Sequence, residues 1–147
     1  MKAIMGFGFF LLFLAGIALV MLQGRQMIGQ NMPGGGAGIT GQKWRPTVLA
    51  MDTLPADSDM YVLFEVDGSI KGSGGCNDFS GNLEKTDDGI VVGPLRATRM
   101  ACAEKIMGRE AAFMLALQNA TRFEVGGNRL QLLNSDSQLL AELTPAD

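Results

Sequence analysis

The chain has 147 residues with 12 basic and 15 acidic side chains, two cysteines and no histidine. The missing histidine excludes Ser-His-Asp and Cys-His catalysis, His-liganded zinc and the usual proton shuttle. Two cysteines without Cys-x-x-Cys spacing fall short of a zinc site or a thioredoxin-type redox pair, so neither a metal nor a cofactor is expected.

Ala3 to Leu22 is an uncharged run of 20 residues rich in Leu, Phe, Ile and Gly. As a helix rising about 1.5 Å per residue it matches the hydrocarbon thickness of a bilayer. A cleaved signal has a shorter apolar region of about 7 to 15 residues and a small-x-small exit. Here the exit, Val20-Met21-Leu22-Gln23-Gly24-Arg25, is bulky, which favours an uncleaved signal anchor over residues 1–22; a cleaved signal is the alternative. The short amino-terminal side, with Lys2 and the amino terminus against Arg25, favours an inside amino terminus and a domain outside the cytoplasm. The expectation is a single-pass protein of the bacterial inner membrane facing the periplasm, or a free periplasmic domain if the signal is cleaved.

Residues 23–42 are rich in Gly, Gln, Asn and Met and carry little charge, the composition of a flexible tether. Gly36-Ala37-Gly38-Ile39-Thr40-Gly41 matches the letters of a dinucleotide fingerprint. No strand precedes it and no helix follows, so the helix terminus that would hold a pyrophosphate is missing. Residues 43–147 hold ten of the twelve basic and all fifteen acidic residues, a net charge of −5. That sign gives no overall drive toward nucleic acid or anionic lipid.

Met60 to Val66 is aromatic and β-branched and is followed by Asp67-Gly68, a strong hairpin signal. The return strand runs Ser69 to Cys76, and further strands fit Phe79 to Lys85 and Ile90 to Val92. Ile106, Phe113 and Leu117 recur at helical spacing, predicting a helix over Glu104 to Asn119. Arg122 to Val125, Leu130 to Leu133 and Gln138 to Leu143 then make a three-stranded meander around Gly126-Gly127-Asn128 and Asn134-Ser135-Asp136-Ser137. The predicted fold is mainly β: a compact antiparallel, barrel-like or curved sheet of about seven or eight short strands with one covering helix.

The two cysteines lie in Gly72-Ser73-Gly74-Gly75-Cys76-Asn77-Asp78-Phe79-Ser80-Gly81 and Thr98-Arg99-Met100-Ala101-Cys102, the second preceded by Gly93-Pro94-Leu95-Arg96-Ala97. In that order, with a helix and a final hairpin after them, these segments resemble the signature of the META domain, the HslJ-like heat-shock family, over roughly Lys43 to Leu143. The resemblance implies a β fold with the two cysteine motifs side by side, no established reaction, and association with heat-shock or envelope-stress responses. Leu83 stands where the family usually offers a tyrosine.

The signature residues Gly72, Gly74, Gly75, Asn77, Gly81, Pro94, Thr98 and Met100 suit a tight crossing of chains. Glycine is needed where another backbone comes close, and Asn77 and Thr98 suit backbone hydrogen bonding. Arg99 is the better candidate for a surface contact. Cys76 and Cys102 have three readings: a structural disulfide, two buried thiols, or a reactive thiol. An oxidising compartment favours the disulfide. The functional expectation is a membrane-tethered, extracytoplasmic, non-catalytic binding or accessory module whose partner is an envelope protein. An inhibitor of a secreted hydrolase is the alternative.

Overall fold

The computed structural model describes residues 38–86 and 89–146. The predicted span from Ala3 to Leu22, and the tether up to residue 37, lie outside the described residues. Among those described, no helix is long and apolar enough to cross a membrane.

Among the described residues, ten strands and one helix follow in chain order: β1 (Lys43–Leu49), β2 (Asp52–Thr53), β3 (Tyr61–Phe64), β4 (Ser69–Ser73), β5 (Asp78–Thr86), β6 (Gly89–Val92), β7 (Arg96–Ala97), α1 (Glu104–Asn119), β8 (Arg122–Gly126), β9 (Arg129–Leu133) and β10 (Leu139–Ala146). They build one mainly antiparallel, open curved sheet in the order β6-β5-β4-β3-β1-β10-β9-β8, with β2 beside β1 and β7 beside β5. Its two edges approach at one point, where the Ile90 amide donates to the Thr121 carbonyl at 3.0 Å.

Alternation fixes the inward face of each strand. Trp44 and Leu49 of β1, Val62 and Phe64 of β3, Ile70 of β4, Leu130 and Leu132 of β9, and Ala141 and Leu143 of β10 are buried together. The helix covers this core with Phe113, Ala116 and Leu117. Phe113 meets Phe79 of β5 edge-on, ring centroids 5.9 Å apart, which anchors the helix over the strand that carries the first signature segment.

Asp67-Gly68 turns β3 into β4, and the helix spans Glu104 to Asn119, both as the sequence indicates. The strand count is higher than expected because β1, β2 and β7 have weak local signals. β1 carries Pro46, a residue that usually argues against a central strand. Here Pro46 falls between the residues that pair with β3, Lys43 and Trp44, and those that pair with β2, Val48 and Leu49. Pro46 stays opposite Leu143 of β10, and the register with β10 shifts immediately after it, between Pro46 and Val48.

The boundary between tether and domain also moves. Ile39, assigned to the tether from the sequence, is 2 % exposed in the core, and its carbonyl accepts from Trp44 Nε1 at 2.9 Å. Thr40 bridges to Phe64. A glycine-rich composition masked this one apolar anchor.

Candidate functional site

The first signature segment is a bend between β4 and β5, and the second crosses it. Gly72 has no room for a side chain because the Tyr61 carbonyl and the Phe79 ring fill that space. Gly75 adopts φ +93°, which disfavours other residues. Gly81 faces Leu95, whose Cδ2 would lie 2.7 Å from an added Cβ, and the Pro94 carbonyl at 3.3 Å. At Gly81 the Pro94-Leu95 stretch therefore packs directly against the backbone of the first segment.

Asn77, 4 % exposed, joins the two segments. Its Oδ1 accepts from the Thr98 hydroxyl at 2.9 Å and from the Met100 amide at 2.6 Å. Its Nδ2 donates to the Met100 carbonyl at 3.3 Å. Thr98 Oγ1 in turn accepts from the Asp78 amide at 3.2 Å, and the Thr98 amide donates to the Asp78 carbonyl at 3.0 Å. Beside this crossing the sulfurs of Cys76 and Cys102 stand 2.07 Å apart, a disulfide between segments 26 positions apart in sequence.

Glu110, unremarked in the sequence, completes the site from the helix. It is 8 % exposed. Its Oε2 accepts from the Asn77 amide at 2.6 Å and the Cys76 amide at 3.3 Å, and its Oε1 accepts from Asn77 Nδ2 at 2.8 Å. Three N–H donors thus take the place of water around a buried carboxylate. The signal for it was in the helical spacing, since Glu110 stands three residues before Phe113 and seven before Leu117 on the buried stripe.

Residues 37–146 match the META domain. The chain belongs to the META domain family. No curated protein matches it. The fold is similar to an NMR structure of a protein from Burkholderia xenovorans, with 20 % identity and a TM-score of 0.59 over 74 % of this chain and 83 % of that one. A second NMR structure is similar at 21 % identity and a TM-score of 0.58, over 74 % of this chain and 92 % of the other.

In this META domain Cys76 and Asn77 are buried at the crossing, while Pro94, Thr98, Arg99 and Met100 are exposed. Two shallow grooves flank Arg109. One, of about 460 Å³, lies between the β1–β2 hairpin and the helix residues Lys105, Gly108, Arg109 and Ala112. The other, of about 180 Å³, has Gly74, Gly75, Met60 and Ile106 in its wall. Among the described residues, no three Asp, Glu or Cys side chains converge as metal ligands would. Leu83, at the position where the family usually has tyrosine, packs half-buried against the core.

Proposed function

We propose that this is a membrane-tethered, extracytoplasmic META-domain protein that acts as a non-catalytic binding or accessory module of the cell envelope, in heat-shock or envelope-stress response. One observation carries the non-catalytic reading. The polar side chains buried at or bridging the crossing are consumed internally: both oxygens of Glu110, both ends of the Asn77 amide and the Thr98 hydroxyl are engaged with each other or with backbone. A general acid, base or nucleophile needs a polar atom free to meet a substrate. The apolar run from Ala3 to Leu22 supports the tether.

Intact-mass measurement of the membrane fraction tests the tether: the full chain is expected, and a new amino terminus between Gln23 and Gln30 overturns the anchor. Crosslinking in intact cells tests the module, with envelope proteins as the expected partners.

One feature favours hydrolase inhibition as a second reading. Ala50 and Met51, the two-residue turn between β1 and β2, have φ +47° and +76°, and Met51 is 87 % exposed at the tip. The Ala50 amide donates to the Leu140 carbonyl at 3.0 Å and the Leu54 amide to the Thr47 carbonyl at 2.8 Å. A braced, projecting apolar side chain suits insertion into an enzyme's cleft. Recovery of a single secreted hydrolase, crosslinked through position 51, would select this reading.

A further inference from the structure

The segment that crosses the bend is attached in an unusual way. From Arg96 to Gly108 every residue except Cys102 is exposed. None of the residues between Leu95 and Ala112 belongs to the hydrophobic core. What holds this strap is the two-residue pairing of β7 with β5, the hydrogen bonds of Asn77, Thr98 and Glu110, and the Cys76–Cys102 bond. The second half of α1 is held independently, by Phe113, Ala116 and Leu117. A segment with polar attachments and no buried apolar side chains has a low free energy of local opening, and here one covalent bond limits that opening.

We infer that Cys76–Cys102 is a reducible latch: an external protein dithiol opens it by attacking Cys102, and opening releases residues 96–111 while the core stays folded. This goes beyond the binding role proposed above and does not depend on membrane attachment.

Access selects the sulfur. Cys76 is 8 % exposed, whereas Cys102 is only half-buried, within the exposed strap. A thiolate of the reductant attacks Cys102 Sγ, the S–S bond breaks, and Cys76 leaves as a thiolate that takes up a proton. The second thiol of the reductant then attacks the mixed disulfide and frees Cys102 as a thiol. Two electrons pass from the dithiol, which ends as a disulfide, to the protein.

Hydrogen exchange read by mass spectrometry on the full chain, before and after dithiothreitol, tests the release. Exchange over 96–111 is expected to accelerate at least about 10-fold while β1, β9 and β10 keep their protection within about 2-fold. The C76S/C102S double variant is expected to match the reduced protein; where it fails to accumulate, reduced wild type decides. Unchanged exchange in the strap overturns the latch, and so does loss of protection across β1, β9 and β10, which would make the bond a staple of the whole fold. A thioredoxin-type reductant lacking its resolving cysteine should be trapped on Cys102. Trapping on Cys76, or no trapping, overturns the attack assignment. Alkylation of both thiols in freshly prepared envelope without reductant would show the latch to be absent in the cell and overturn it there.

Discussion

The Glu110 side chain occupies the space that a side chain at Gly74 would need: a Cβ there would stand 2.5 Å from Oε2 and closer still to Cγ. The glycine and the carboxylate are two halves of one joint between the bend and the helix. Glu110→Ala leaves buried donors unpaired, and each unpaired donor costs about 1 to 3 kcal/mol. We expect a loss of about 3 kcal/mol for Glu110→Ala and a smaller loss for Glu110→Gln, which keeps one acceptor. Gly74→Ala should resemble Glu110→Ala by displacing the carboxylate. Denaturant unfolding of the full chain checks this series, and a fully stable Gly74→Ala would refute the joint.

Asn77 and Arg99 should separate sharply. Asn77→Ala removes the acceptor of Thr98 and Met100 and two donors, a loss expected at about 1 to 3 kcal/mol. Arg99 is exposed, and its replacement by alanine should change stability by less than about 0.5 kcal/mol. Thermal melts of the two variants, run beside partner capture, give the comparison. A stable Asn77→Ala that had lost a specific partner would mark the crossing as the binding face.

How much of this was legible beforehand varied with sequence distance. The Asp67-Gly68 hairpin and the helix from Glu104 to Asn119 are written in neighbouring residues, through turn chemistry and 3.6-residue spacing. β1 was not, because Pro46 hides it and its partner in the ladder, β10, lies about a hundred residues away. Gly74 and Asn77 could be singled out by type. Glu110 escaped, since an acidic residue in a helix normally faces water, and only the bend that it receives shows why it is buried.

The Ala50-Met51 turn offers a stability test. Two-residue hairpins with both central φ positive favour Asn-Gly, since other residues carry strain there. The A50N/M51G double variant should be more stable by about 1 kcal/mol, measured by chemical denaturation. No gain would mean that the turn is relaxed as it stands.

Asp67 gives a pH signature. Hydrogen bonds from the Ser69 side chain and then its backbone amide, 2.8 Å from Oδ1, hold the Asp67 carboxyl below its ordinary 3.8. A lowered folded value contributes stability that is present above the ordinary value and lost as pH falls through the lowered one. NMR titration should place Asp67 below 3.8, and Ser69→Ala should move it upward. An unchanged midpoint in Ser69→Ala would remove the hydroxyl as the main cause.

The pairing of Lys43 with Ala146 joins the first strand of the domain to the last, in the middle of the sheet. A chain delivered amino end first therefore cannot assemble in the order in which it arrives. β3 to β6 can zip as a meander, but β1 waits beside them with its other side unsatisfied until β10 emerges. Pairings of such long sequence separation form slowly, and waiting strand edges recruit other chains. During synthesis the half-built domain thus has an exposed interval that ends only when its final eight-residue strand arrives, and a truncation that removes that strand would extend the interval indefinitely.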